Sequence, residues 1–461
     1  MKHKVDSFIF FLAKTALFFT FLSLFFLGQH TYYGETLFYF WGNIIIILLY
    51  TAVLYLASRI YNGFNFGHAN IQEIIVAWVL CLIIVNTFAY FICSLINSLR
   101  ENESALLPVG GILYIFAAQV GVMIPMTILL NAMHYSQNPA LSTIIIYGDT
   151  QNLQLYCNMI SKQRRKFKVV KTISQKEQTG VILDAIQKVQ AVFFLDAEET
   201  KQEGLIEYCY LNDKQVFIIP TFTRILYNTA STLWLANSPV FSLKRPTPDI
   251  GTLMIKRVMD IGISIFAIII SSPIMILIAI LVRLTDNHPS IYKQERVTKG
   301  GRIFNIYKFR SMVPQAEDDG VPRLTAKNDA RITPIGRFIR RTRIDELPQL
   351  FNVLVGHMSI VGPRPERPEL VKMYEEIFPN FAFRTKVKAG MTGYAQIFGR
   401  YNTAPEDKLY LDIMYIERFS ILQDMKLILQ TLSVVFKAES TEGIDKDCVT
   451  ALRNNGNEKK N

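Results

Sequence analysis

Cysteine, histidine and charge are all scarce in this chain of 461 residues, and each scarcity removes a class of function. The five cysteines (Cys81, Cys93, Cys157, Cys209, Cys448) are odd in number, scattered and free of CxxC spacing. That excludes a disulfide framework and a thiolate zinc site, and fits reduced structural thiols in the cytosol. No GK[ST] phosphate loop, His-based triad or zinc spacing is present either. Only 19% of residues are charged while 50% are hydrophobic, and the apolar residues are gathered in blocks, which marks a membrane protein. The net charge of +11 points to an anionic leaflet or phosphate-bearing substrates, and no nucleic-acid partner is expected.

Four apolar runs, residues 8–28, 36–57, 73–97 and 106–132, each have the length a bilayer core requires. Lys2, Lys4, Arg59 and the run "KQRRKFK" at residues 162–168 lie where the positive-inside preference puts the cytoplasm, so an even number of spans returns the chain there. The alternative of a cleaved leader at the first run lacks an A-x-A-like site. Lys14, Asn86 and Gln119, inside these runs, read as snorkelling or helix-packing groups. From residue 142 short β-rich runs alternate with helical spacing, predicting a small parallel α/β sheet over 140–237. Its first turn, "YGDTQN", has Gly148 but not G-x-G-x-x-G, which favours a structural or regulatory Rossmann-like module over a nucleotide-binding one. Three prolines in "SPVFSLKRPTPD" mark a linker, taken as 238–255.

The run at residues 256–283, "KRVMDIGISIFAIIISSPIMILIAILVR", is long enough to cross the membrane. Lys256, Arg257 and Arg283 flank both ends, and Ser271-Ser272-Pro273 falls at the midpoint, where proline removes a helix hydrogen bond. A re-entrant helix over 256–285, bent at Ser272 and Pro273, is therefore expected, against the simpler reading of a fifth crossing.

Near residue 345 the chain reads "RFIRRTRIDELPQLFNVLVG", in which four arginines run into the adjacent acids Asp345 and Glu346. Leu347, Leu350, Phe351 and Leu354 follow at helical spacing and Gly356 ends the run, predicting a short amphipathic helix with Asp345 at its N-cap and Pro348 in its first turn. A carboxylate beside arginines and a helix N-terminus is expected to stay ionised, as an anionic nucleophile or metal ligand must. Taken alone, the pair reads better as a cap with salt bridges. Around it, Pro363 and Pro365 clamp a turn that aims Arg364, a side chain suited to phosphate. Lys308 and Arg310 fall on one face of a predicted strand, and Gly390, Gly393 and Gly399, beside Gln396 and Arg400, allow close backbone approach to a ligand. Together these segments suggest phosphate chemistry at a bilayer surface, all of it beyond residue 250.

In this order the segments resemble the bacterial sugar transferases, the monotopic polyprenyl-phosphate phosphoglycosyl transferases. The resemblance runs from about Lys256 to Phe436 and rests on "KRVMD", "SSP", "YKFRSM", "RRTRIDELPQLFNVL", "SIVGPRP", "GMTGYAQ" and "LDIMYI". The whole chain is similar to the long forms that start capsule, exopolysaccharide or O-antigen synthesis. Tyr394 and "IFGRYN" depart from the usual pattern, which leaves the sugar open. The resemblance implies an α/β membrane protein of the bacterial inner membrane: a four-helix transmembrane anchor (1–135), a Rossmann-like α/β middle domain, and a mainly helical catalytic domain (286–440) on the cytoplasmic face, before a polar tail (441–461). It implies a UDP-hexose donor, undecaprenyl phosphate as acceptor, UMP as product, and a homodimer as one assembly open to it. Asp345 would be the nucleophile, Glu346 with Asp345 would hold Mg2+, and Lys308, Arg340 and Arg364 would position phosphates. Asp424, in "LQDMKLIL", is carried over as a substrate-binding residue, with a surface acid paired to Lys426 as its plainer reading.

Overall fold

A computed structural model describes residues 2–33, 40–67, 69–101, 106–148, 153–195, 199–243, 248–286, 288–313, 329–399 and 404–434. The chain forms two compact units, dividing between Ile219 and Pro220.

The first unit opens with four helices, α1 (Lys2–Tyr33), α2 (Phe40–Ile60), α3 (Ile71–Glu101) and α4 (Val109–Gln137), each with an apolar stretch long enough to cross a membrane. Polar residues in these stretches are glue between helices. Asn86 donates to Gln119 Oε1 at 2.6 Å, and Gln119 donates to Tyr50 Oη at 2.8 Å and the Phe21 carbonyl at 3.0 Å, all buried, so each group finds a partner where water is absent. Lys14 lies over the Phe10 ring at 4.4 Å.

The alternation that follows builds β1 (Leu141–Tyr147), α5 (Leu153–Ser161), β2 (Phe167–Ser174), α6 (Thr179–Gln187), β3 (Ala191–Leu195), α7 (Glu199–Leu211) and β4 (Gln215–Ile218). The strands form one parallel sheet in the order β2-β1-β3-β4. Ile144, Ile146, Val192 and Phe194 pack with α6 and α7, while Ile145 and Leu195 pack with Tyr156 and Ile160 of α5, so helices cover both faces and the strands read as continuous apolar runs. Of the turn after β1, residues 149–152 lie outside the described residues.

The second unit begins with α8 (Phe222–Tyr227), then a hairpin of β5 (Ser231–Leu235) and β6 (Ser238–Ser242). The stretch read from its prolines as a linker thus starts as a paired strand, with Pro239 opposite Trp234 in a two-stranded ribbon where a missing amide is tolerated. Next comes α9 (Ile250–Asp286), 37 residues and about 55 Å at 1.5 Å per residue. It stays helical through Pro273, so Ser272 and Pro273 do not end the helix. The serine hydroxyls account for this: Ser272 Oγ donates at 2.8 Å to the Ile269 carbonyl that Pro273 cannot serve, and Ser271 Oγ donates to Ala267 at 2.7 Å.

The remainder comprises the antiparallel pair β7 (Ile291–Val297) and β8 (Ile303–Phe309), α10 (Pro334–Arg341), α11 (Gln349–Val355), β9 (Ser359–Val361), α12 (Pro368–Ile377), a 3-10 segment at Pro379–Lys386, β10 (Gly390–Thr392), α13 (Tyr394–Phe398), α14 (Pro405–Glu417) and α15 (Ile421–Val434). A core of Phe304, Ile306, Leu350, Val353, Met358, Tyr415 and Leu427 joins β8, α11, α14 and α15, and Ile263, Ala267 and Ile268 of α9 pack onto it. Further along α9, Ile278 and Val282 pack against Phe309 and Ile339. Lys256, Asp260, Ser264, Ile278 and Val282 form one buried stripe of α9, while Val258, Phe266, Ile269, Ile276 and Leu284 on its other sides are exposed.

Candidate active site

The acidic pair sits between two short helices. Thr333 Oγ1 accepts from Gly336 N at 2.9 Å and Pro334 occupies the first turn, starting α10; Arg343, in the left-handed region at φ 56°, redirects the chain after it. Asp345 and Glu346 then lie in a 3-10 turn, Ile344–Glu346, and α11 starts later, at Gln349. This corrects the expectation that Asp345 caps α11. Pro348 takes the cap position instead, and Gly356, at φ 99°, ends the helix as its spacing predicts. Asn352 of α11 fixes the turn against β8: its Oδ1 accepts from Tyr307 N at 2.9 Å and its Nδ2 donates to the Asn305 carbonyl at 2.7 Å. Lys308, next on β8, is thereby set beside the pair.

The cations divide the two acids. Glu346 Oε1 accepts from Lys308 Nζ at 3.2 Å and from Arg364 Nη2 at 2.6 Å, and Oε2 lies 3.8 Å from Arg343 Nη1. Burial pushes the Glu346 carboxyl up, but Arg364, Lys308 and Arg343 outweigh it and hold the group well below the usual carboxylate range. Asp345, 8% exposed, goes the other way. Burial, and then the adjacent Glu346 charge, push it up to about 6 against the opposing pull of Lys308, Arg340 and Arg364. Arginines and a helix start were expected to keep Asp345 firmly ionised; desolvation and its neighbour win instead. Burial also lowers Lys308, although Glu346 pulls it up. The adjacent carboxylates thus differ in chemistry, Glu346 committed to cations and Asp345 raised, a contrast that clusters at functional sites.

Lys308, Arg340, Arg343, Asp345, Glu346 and Arg364 thus gather in one cluster. Pro363 lies at its edge, with its carbonyl accepting from Gly390 N at 2.9 Å. Arg310 follows the end of β8, its Nη1 buried without a hydrogen-bond partner, and both amide atoms of Gln396 on α13 are likewise buried and unpaired. Arg400 lies outside the described residues.

Asp424 is placed elsewhere. Wholly buried on α15, it accepts from Lys256 Nζ at 2.5 Å and Tyr415 Oη at 2.9 Å, so it is neither a surface acid nor one of the cluster. Gly390 and Gly393 also serve another purpose than ligand approach. The space a Cβ would take at either is filled by the backbone of Gly362, where β9 and β10 press together.

Several residues have supporting contacts that sequence reasoning missed. Lys256, Arg257 and Asp260 of "KRVMD" pin α9 down: Arg257 donates to the Val353 and Leu354 carbonyls at 2.7 and 2.6 Å, and Asp260 Oδ1 accepts from Ser359 Oγ and Ile360 N, both at 3.1 Å. Arg384 and Asp412 form a buried pair at 2.6 Å. A signal existed for the latter, since Asp412 is a lone acid among Leu409, Ile413 and Ile416 on the apolar face of α14.

Residues 251–438 match the bacterial sugar transferase family model. An Aeromonas hydrophila UDP-N-acetylgalactosamine-undecaprenyl-phosphate N-acetylgalactosaminephosphotransferase is 40% identical over 184 residues, covering 39% of this chain and 43% of that protein. A Salmonella typhimurium undecaprenyl-phosphate galactose phosphotransferase is 35% identical over 283 residues, 57% of this chain and 59% of its own. An exopolysaccharide production protein PSS of Rhizobium leguminosarum is 40% identical over 190 residues, which are 39% of this chain but 94% of that protein. The chain thus spans about half the length of the first two and nearly all of the third. With the matched segment running from α9 through α15 and containing the Asp345–Glu346 cluster, this chain belongs to the bacterial sugar transferase family.

Proposed function

We propose that the chain transfers a hexose 1-phosphate from a UDP-hexose to undecaprenyl phosphate, as the first step of building an exopolysaccharide, capsule or O-antigen repeat unit. The observation that carries this reading is the split pair: a buried carboxyl raised to about 6 beside a carboxylate already engaged by cations. A carboxylate oxygen of Asp345 attacks the β-phosphorus of the donor, the bond to the bridging oxygen breaks, and UMP leaves with that electron pair. The phosphosugar remains on Asp345 as an acyl phosphate. An oxygen of undecaprenyl phosphate then attacks the same phosphorus, forming the polyprenyl diphosphate sugar and freeing the Asp345 carboxylate, so donor and acceptor need not meet at once.

Lys308, Arg343 and Arg364, held in place by Glu346, can turn to incoming phosphate oxygens and neutralise their charge, with Arg340 near Asp345. Mg2+ takes one or two carboxylates with substrate phosphates completing its shell, and Asp345 and Glu346 offer such hard oxygen donors; no larger cluster of ligating residues exists among the described residues. Bound there, the ion would neutralise charge on the diphosphate. The undecaprenyl-phosphate relatives named above differ in sugar, which makes the hexose the variable part of the reaction.

The proposed membrane placement is supported by α9. Its early and late buried residues pack onto the same folded unit, while its other sides are apolar and exposed. A helix clamped along its length by one domain supports entry and exit on one side of the bilayer, with the cluster on the cytoplasmic face of the inner membrane. The test is UMP release by the full-length protein in nanodiscs across a panel of UDP-sugars. Wild-type protein should release UMP from at least one donor, and Asp345→Asn, folded, should release it at least about 1,000-fold more slowly. Wild-type rates from that variant would end the covalent mechanism.

A further inference from the structure

Between the end of β9 at Val361 and the start of α12 at Pro368, the turn carrying Arg364 has no regular secondary structure. It is held through its carbonyl oxygens. Val361 O accepts from Lys256 Nζ and Tyr415 Oη, both at 3.2 Å, and Glu366 O accepts from Val297 N at 3.0 Å. At Arg364 itself the donor is a side chain: Arg384 Nη2 donates to the Arg364 carbonyl at 3.0 Å. The same guanidinium donates through Nε to Asp412 Oδ2 at 2.6 Å and lies over the Phe381 ring at 4.7 Å, with 5% of the arginine side chain and 1% of the aspartate exposed.

We propose that Arg384, oriented by Asp412, is a positioning residue for the reaction, fixing the Arg364 backbone so that its guanidinium stands beside the Asp345–Glu346 pair where the donor's phosphate arrives. Neither Arg384 nor Asp412 needs to touch substrate. The planar fork makes the arrangement specific. Its Nε is committed to Asp412 on α14, so its Nη2 presents one donor at a set distance and direction from that helix, which a flexible ammonium cannot reproduce. Arg364 Nη2 in turn lies 2.6 Å from Glu346 Oε1, and a displacement of about 1 Å in such a contact can cost roughly 100-fold in rate. The inference rests on the phosphotransfer reading above, in which Arg364 meets a phosphate.

The test is a double-mutant cycle on full-length protein in nanodiscs, with UMP release measured against UDP-sugar concentration and melting temperature measured in parallel. Arg384→Gln should melt below wild type, because it leaves Asp412 buried without its cation, and should lower kcat/KM by about 10- to 100-fold at a temperature where the variant is fully folded. In an Arg364→Ala background the same substitution should cost no more than about twofold, because the group it positions is gone. Asp412→Asn, which keeps shape but loses the charge that orients Arg384, should show a smaller loss with the same dependence on Arg364. Equal losses in both backgrounds, or wild-type kinetics in Arg384→Gln or Asp412→Asn, would overturn the proposal. So would failure of both variants to fold, which assigns the pair to folding alone. A wild-type protein silent on every UDP-sugar is a different result: it removes the phosphotransfer reading, and this inference with it.

Discussion

At the residue scale the proposed chemistry turns on one carboxyl group whose charge the fold disfavours. Asp345 titrates near 6 in the folded protein against an ordinary 3.8, so between about pH 4 and 6 the folded state binds more protons than the unfolded chain. The sign follows: stability associated with Asp345 is complete below about 4 and is lost as pH rises through 6. Under the proposed mechanism activity runs opposite, because the ionised form of Asp345 is the one that attacks. With the free enzyme, kcat/KM for the UDP-sugar is expected to rise about tenfold per pH unit up to about 6 and to level off above 7. Asp345→Asn should lack the stability penalty and outmelt wild type at pH 7.5, by an amount on the order of 2–3 kcal/mol that vanishes by pH 4. A melting difference independent of pH would show that burial of Asp345 is not the cause of its shift.

At the element scale, the site depends on short pieces locked together by backbone contact and polar side chains. Strands β9 and β10 are three residues each, too short to be stable by pairing alone, and they approach closely because Gly362 and Gly390 face each other. A Cβ on Gly362 would overlap the Lys388 carbonyl oxygen, which is backbone and cannot swing aside. Gly362→Ala is therefore expected to destabilise the protein by about 1–3 kcal/mol and to cut UMP release by moving Pro363 and Arg364. Unchanged melting and kinetics would mean the two strands tolerate separation. Asn352, wholly buried, plays the matching role for Lys308 by lending its amide to the backbone of β8.

At the scale of the whole molecule, the unit containing the site starts earlier than its motifs do. Ile225 of α8 is buried with Leu370, Tyr374, Phe381, Leu409 and Ile413, and Phe222 packs on Phe383 at 5.3 Å. A truncation starting at residue 220 should keep melting behaviour and UMP release near those of the full chain. One starting at residue 250, which the motifs alone recommend, loses α8 and should be less stable by about 2–5 kcal/mol. Equal stability of the two would show that α8 is dispensable. Topology is tested separately. Single cysteines at Met254 and Arg283, both exposed on α9, in a background without the native five, should both resist an impermeant thiol reagent in intact cells and label in inverted vesicles. Labelling of the Arg283 site alone from outside would mean that α9 crosses.

The sequence by itself determined what depends on near neighbours. Apolar runs of bilayer length, strand and helix alternation in the middle domain, the helix ending on Gly356 and the arginines that run into Asp345-Glu346 are all written within a few residues, because hydrophobic period, turn chemistry and charge sequence act locally. The tertiary structure alone decided how that pair is split electrostatically. Glu346 is bound by cations from β8, from the residue three before it and from the turn after β9, and the rise of Asp345 comes from burial that no spacing reveals. Lys256 and Asp424 pair across 168 residues of chain, and Arg384 reaches both Asp412 and the Arg364 carbonyl. Such partners are chosen by which elements the core brings together, and the strength of an ionic contact depends on the water excluded around it, so neither exists until the chain has folded.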